Sequence, residues 1–292
     1  MWSDRHESSL KFMRVTACLF FLVLAGGLGF WWYQGTMKKE KAEDLGLTPE
    51  EYQDGKTRVA KIAAKVTPVV EKKLAEKKEV APNILPPVPP SDPEPEPVEQ
   101  SINWRPGAPV FIRVFKEELE LELWLKDGEV FRLFETYPVA AMSGKLGPKL
   151  AEGDRQAPEG FYFVPPSQMK PDSEYHLAFN IGYPNAYDRA HDRTGSFIMV
   201  HGSNVSIGCF AMTDEKVEEI YTLCDAAHQA GQTFFRVHIF PFRMTPEKMA
   251  ENRNHEWFSF WQNLRVGYEW FEEKRIPPNV TVEDATYVFS QN

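Results

Sequence analysis

The amino-acid sequence predicts a β-rich α+β domain behind a single N-terminal membrane helix. Three observations carry that expectation. Residues 15–33, VTACLFFLVLAGGLGFWWY, contain no charge, and about 20 apolar residues cross a bilayer as a helix. From Trp104 onward, short apolar segments alternate with period two between Gly, Pro and Asp turns. That is the pattern of sheet strands and not of βα repeats. Towards the C-terminus the apolar period lengthens to that of a helix in two places.

The N-terminal third reads as a tether. Trp31, Trp32 and Tyr33 end the apolar run, where an aromatic belt lies. Arg5, Lys11 and Arg14 precede it, and Lys38, Lys39 and Lys41 follow it, so the flanking charges give a near tie on orientation. A retained anchor is preferred to a cleaved signal peptide, because no clean Ala-x-Ala site is seen and the run is long for a signal core. The chain then divides into an N-terminal cytoplasmic segment (1–14), a transmembrane anchor or uncleaved signal (15–33), a polar, partly helical spacer (34–80), a proline-rich linker (81–103) and a folded domain (104–292). Pro68 is expected to kink or end a helix in the spacer. Eight prolines in residues 81–99 make a stiff arm of about 60 Å.

Within the folded domain, VFIRVF and ELELELWLKDG alternate as half-buried strands, and Asp127-Gly128 marks a hairpin turn. FYFV, YHLAFNI and FIMV follow as further strands. In TDEKVEEIYTLCDAAHQAG, Val217, Ile220, Tyr221, Cys224 and Ala227 recur at helical spacing. Thr213 or Asp214 is expected to cap that helix, and Gly231 to end it. FFRVHIFPF reads as a strand ending at Pro241. HEWFSFWQNLRVGYEWFEE reads as a second helix, and TYVF as a return to a sheet.

The net charge is -9, with 27 acidic and 19 basic residues over 104–292. No basic run stands beside exposed aromatics, so a nucleic-acid partner is not expected. The acidic field suits a basic or zwitterionic substrate. Three cysteines, Cys18, Cys209 and Cys224, make no disulfide framework. Cys224 lies on the apolar stripe of its helix and reads as core. No paired Cys-x-x-Cys or histidine cluster supports a metal site, and no cofactor is implied.

One stretch carries chemistry: MVHGSNVSIGCFAMTD, residues 199–214. His201 closes an apolar strand, and Cys209 follows Gly208 in a glycine-containing turn. A histidine that takes the thiol proton, and consecutive amides at Ile207, Gly208 and Cys209 aimed at one oxygen, are the parts of thiol acyl transfer. A structural turn with an ordinary cysteine stands beside that reading. His238 alternates with Val237 and Ile239, and is either a core histidine or a pocket member. Arg155 and Tyr183 fall in polar loops, as substrate contacts or as loop packing. Asp188, Arg189 and Arg193 read as a local ion network.

The same residues carry a family resemblance. HGSNVSIGC resembles the active-site signature of the L,D-transpeptidase (YkuD-type) catalytic domain, and of its YafK-like branch in particular. YPVAAMSGKLGPKLAEGDRQAPEGFYFV, IGYPNAYDRAHDRTGSFIMVHG and VHIFPFRMT extend the likeness across about residues 104–292. The resemblance implies Cys209 as nucleophile, His201 as base, Ser206 as a turn and pocket residue, an oxyanion site at Ile207, Gly208 and Cys209, and the Gly202 carbonyl as orienter of the imidazole. It implies a β-sandwich-like fold with flanking helices. It implies peptidoglycan stem peptides as substrate, with a peptidoglycan-linked envelope protein as a further partner. It also places the catalytic domain in the periplasm, with the inner membrane held through the N-terminal helix. Transfer, hydrolysis of a diaminopimelate–protein link, and an inactive binding module all stay open. Ile207 stands where the common motif has a second histidine. Phe210, Ala211 and Met212 stand where it has Arg or Asn, and the His-to-Cys interval is shorter than usual.

Overall fold

A computed structural model describes residues 35–80 and 104–291. The chain divides into two compact units, residues 1–58 and 59–292, with the division inside a long helix. The first unit holds α1 (residues 35–44) and α2 (Pro49–Gln53). Thr48 caps α2 with a reciprocal pair of bonds to Glu51, and Pro49 starts it, which leaves few orphan amides at that end.

The long helix, α3 (Gly55–Val80), runs through Pro68 without ending. Its part in the second unit buries Ile62, Val66, Val70 and Leu74, four residues apart. Lys65 and Lys73 pair with Glu218 and Glu219 at 3.1 and 2.7 Å, and Lys77 with Glu135 at 3.2 Å. Docking along one stripe outweighs the roughly 3 kcal/mol that an interior proline costs a helix.

The second unit continues with β1 (Val110–Phe115), β2 (Glu120–Asp127), β3 (Val130–Pro138), β4 (Gly160–Val164), β5 (Met169–Lys170), β6 (Ala178–Asn180) and α4 (Ala186–Ala190). Then come β7 (Met199–His201), β8 (Phe210–Ala211), α5 (Asp214–Gln229), β9 (Phe235–Phe240), α6 (Pro246–Glu251), α7 (Phe258–Lys274), β10 (Asn279–Glu283) and β11 (Thr286–Ser290). Asp127-Gly128 forms the expected hairpin turn, with Asp127 opposite Val130 and Gly128 at φ 59°.

The expected β-sandwich-like arrangement is corrected here. The strands form three open sheets, β3-β2-β1-β9-β4, β5-β6-β7-β8 and β10-β11, in a mixed α/β fold. The reason lies in β1, which is buried at all six positions and needs cover on both faces. Phe111 and Phe115 meet Phe271 and Tyr268 of α7. On the other side α5 contacts β1, β6 and β7, so a helix fills the layer that a second sheet would occupy. β9 runs parallel to β1 and antiparallel to β4.

The membrane expectations are corrected as well. Residues 15–33 lie outside the described residues, as does the linker 81–103. Among the described residues, no helix is long and apolar enough to cross a membrane. The one long helix, α3, carries lysines and glutamates along its length. The single-pass inner-membrane placement, the inner membrane as a partner and the periplasmic orientation that the resemblance implied therefore stand without a spanning helix among the described residues.

A buried ion pair ties the sheet to the long loop before β4. Lys116 and Glu159 lie 2.9 Å apart with both side chains fully buried. Lys116 Nζ also donates to the carbonyls of Gly147 and Ala157. Glu159 accepts from the Gly147 amide and the Trp261 indole. Lys116→Met leaves that carboxylate buried without its counter-charge. The expected loss is about 3–5 kcal/mol of stability, read as a lower denaturant midpoint at unchanged slope.

Candidate active site

The site grows from a parallel strand pair. β7 and β8 pair in parallel, with Val200 opposite Phe210 and His201 opposite Ala211. That register brings Cys209 back beside Met199, whose amide donates to Sγ at 3.4 Å. The thiol in turn reaches the Phe197 carbonyl at 3.6 Å. Cys209 is half-buried, and Cys224 is fully buried. Both are free thiols.

His201 ends β7 with only 3% of its surface exposed. Its Nδ1 lies 2.6 Å from the Gly202 carbonyl oxygen. A carbonyl only accepts, so Nδ1 carries the proton and Nε2 keeps the lone pair. The Tyr175 ring packs on the imidazole with centroids 4.8 Å apart. Gly202 leaves no room for a side chain: a Cβ there would stand 2.6 Å from Asp214 Oδ1 and 2.7 Å from the Tyr175 carbonyl.

The loop between base and thiol is pinned at several points. Ser203, at φ 66°, donates its amide to Asp214 Oδ1 at 2.7 Å. Asp214 therefore holds this loop, and Thr213, the N-cap of α5, makes no side-chain capping bond. Ser206 Oγ donates to the Cys209 carbonyl at 2.6 Å, closing the turn. Gly208 has φ 93°, a conformation that favours glycine. Its amide donates to Ser143 Oγ at 2.6 Å, and that hydroxyl donates to the Arg155 carbonyl at 2.8 Å. Of the three expected oxyanion amides, that of Gly208 is thus engaged by a serine 65 residues away. Ile207, Val205 and Phe197 form an exposed apolar rim.

Burial keeps both groups neutral. Desolvation pushes the Cys209 thiol above its ordinary value, against smaller opposing pulls from the Met199 amide and the Lys149 charge. Desolvation lowers the His201 imidazole, against the Gly202 bond and Asp214. Burial thus favours the thiol form of Cys209 and the neutral form of His201. Among the described residues, no group of three or more His, Cys, Asp or Glu is placed to hold a metal.

Of the other candidates, Arg155 and Tyr183 adjoin residues that support the site, while His238 and Asp188 have surroundings of their own. Tyr183 is buried, and its hydroxyl donates to the Lys149 and Thr194 carbonyls. Arg155 is exposed at φ 55°, and its carbonyl takes the Ser143 bond. His238 is buried on β9 between the rings of Phe111 and Phe161. Asp188 and Arg193 form a buried pair at 2.9 Å, joined by the Tyr162 hydroxyl. Ser143, Tyr175 and Lys149 were not singled out from sequence, and Asp214 only as a helix cap. The first three lie far from the motif in the chain, and only the fold brings them to it.

Comparison with known proteins identifies the family. A family profile, the L,D-transpeptidase catalytic domain (YkuD), matches residues 109–239. A protein of Escherichia coli K12 named as an L,D-transpeptidase, YafK, is 47% identical over 185 residues, covering 63% of this chain and 75% of that protein. Its counterpart in Escherichia coli O157:H7 matches equally. Among solved structures, the helical cell shape determining protein Pgp2 of Campylobacter jejuni is 18% identical with a TM-score of 0.38, over 63% of this chain and 76% of that one. Bd1075 of Bdellovibrio bacteriovorus is 23% identical with a TM-score of 0.32, over 56% and 62%. Those two likenesses are too loose to carry weight, whereas the identity to YafK covers three quarters of that protein. The chain belongs to the L,D-transpeptidase catalytic domain (YkuD) family, on its YafK-like branch.

Proposed function

We propose that the protein performs the family's L,D-transpeptidase-type reaction through a thioester at Cys209, on peptidoglycan stem peptides. The observation that carries this reading is the commitment of His201 Nδ1 to the Gly202 carbonyl. It leaves Nε2 as the base on β7, which pairs with β8 directly after the thiol. In the proposed step, Sγ attacks an amide carbonyl while its proton passes to Nε2. The S–C bond forms, and negative charge gathers on the carbonyl oxygen. The amides of the 207–209 turn receive that charge, the Gly208 amide only once the Ser143 hydroxyl yields it. The C–N bond then breaks, and Nε2 returns the proton to the leaving amine. An incoming amine completes transfer; water completes hydrolysis, including release of an envelope protein from diaminopimelate.

The test is incubation of the protein with diaminopimelate-containing sacculi, followed by mass spectrometry of the muropeptides. Joined stems or exchanged terminal residues mark transfer. Tripeptides freed of an attached protein, with a gain of water, mark hydrolysis. Cys209→Ala should abolish either product, a loss of at least about 10³-fold for a nucleophile, while the circular dichroism stays native. Products that persist in Cys209→Ala would sink the thioester.

The pH profile follows from burial. The imidazolium is disfavoured, so His201 loses its proton below the ordinary 6.5. Activity is present above that point and is lost as pH falls through it. The thiol ionises only above its ordinary 9.0. The expected kcat/KM profile is a plateau between a rising limb below 6.5 and the thiol's own ionisation. Iodoacetamide should alkylate Cys209 slowly at neutral pH and faster only in alkaline buffer, the mark of a resting thiol. Rapid alkylation at neutral pH would indicate a resting thiolate instead.

A further inference from the structure

We propose that Asp214 is a positioning residue for the base: its carboxylate acts on the His201 imidazole through the peptide group that joins Gly202 to Ser203. The inference rests on the thiol reading of the site and adds a third group to it. Nδ1 of His201 lies 2.6 Å from the Gly202 carbonyl oxygen. The amide at the other end of that same peptide, on Ser203, donates to Asp214 Oδ1 at 2.7 Å. One planar group therefore carries both bonds, with the imidazole at its oxygen and the carboxylate at its nitrogen. Linked hydrogen bonds polarise one another. A carboxylate on the N–H makes the carbonyl oxygen a stronger acceptor for the Nδ1 proton.

The chain after the thiol is folded back to make this contact. The Met212 amide donates to the His201 carbonyl at 2.8 Å, and the Thr213 amide to the Ser203 carbonyl at 2.9 Å. Ser203 at φ 66° and Thr213 at φ 70° both sit in the left-handed region, where a residue with a side chain is strained. One of them gives the amide, and the other directly precedes the carboxylate. Gly202 admits the acid: a Cβ there would stand 2.6 Å from Asp214 Oδ1. Asp214 also opens the 16-residue helix α5, whose positive end favours a negative charge.

The proposed reaction needs such a group. When Nε2 takes the thiol proton, the ring becomes a cation where burial disfavours one. A negative charge beyond Nδ1 offsets that cost, and no proton has to leave Nδ1 for it to do so. Asp214 pulls the imidazole upward, against the larger effect of burial and beside the Gly202 bond. The other titratable neighbours point differently. Tyr175 stacks on the ring face at 4.8 Å. His176 lies against Gly202 but gives its Nε2 to Glu218 at 2.9 Å.

The test uses the full-length chain and three variants. Asp214→Asn keeps an acceptor of the same shape and removes the charge, Asp214→Ser is a second neutral replacement, and Asp214→Glu keeps the charge. The ¹H–¹⁵N correlations of the His201 ring, titrated without substrate, report its midpoint and its tautomer. The two neutral variants should lower the midpoint below the wild-type value, and Asp214→Glu should hold it near that value. On sacculi, the neutral variants should lose about 10- to 100-fold in kcat with KM little changed. An acid that only braces the loop would be replaced by Asn without effect on the titration. Wild-type midpoints in folded neutral variants, or a loss confined to KM, would overturn the proposal. The titration needs no turnover, so wild-type protein that yields no product would count against the family reaction and leave the Asp214 result standing.

Discussion

The pairing of Lys116 with Glu159 in the dry interior is the constraint on which the approach to the thiol depends. Two ions taken out of water each cost several kcal/mol, repaid only when every remaining donor and acceptor is used. Here they are. The ammonium meets Glu159 and the carbonyls of Gly147 and Ala157, and the carboxylate also holds the Gly147 amide and the Trp261 indole. An apolar pair would fill the space but would not grip the backbone at two points of the same loop. That grip fixes the loop from 143 to 157 against β1 and α7, and the loop delivers Ser143 to the Gly208 amide. The turn bearing the proposed nucleophile is thus braced from outside its own sequence.

The site's electrostatics follow from the same dryness. Neither His201 nor Cys209 is offered a strong counter-charge, so burial governs both and favours the uncharged form of each. Lys149 lies near enough to pull the thiol downward, yet its ammonium is taken up by Asp154 at 2.5 Å and the Ala151 carbonyl. The chemistry proposed here therefore creates charge during the reaction instead of storing it at rest. Preorganised amides are most valuable under that condition, because they meet charge that is absent beforehand.

Local patterns were legible in the sequence, and tertiary ones were not. Asp127-Gly128 declared its hairpin, and the stripe through Val217, Tyr221 and Cys224 declared α5, because turn chemistry and helical period are local properties. The strand ending at His201 and the turn bearing Cys209 were legible because they lie eight residues apart. Pro68 does not end its helix, since its cost is local and the docking that offsets it is not. The layer order misled. A strand buried on both faces looks the same from sequence whether a sheet or a helix covers it, and only α5 settles the matter. Ser143 carried no signal at all, being one small polar residue in a loop rich in glycine and proline.

The parallel register of β7 and β8 has a consequence for how such a site can change over time. Parallel neighbours are normally joined by a dozen or more residues, but here the chain crosses back within the 202–209 loop. The distance the thiol must return is set by strand pairing opposite Met199, and its orientation by Ser206 within the turn. Between those fixed points, Asn204 and Val205 stand exposed at the tip. Extra residues inserted there would extend into solvent without moving either end of the loop. The interval between histidine and cysteine can therefore change in length at the tip while strand pairing still sets where its two ends lie.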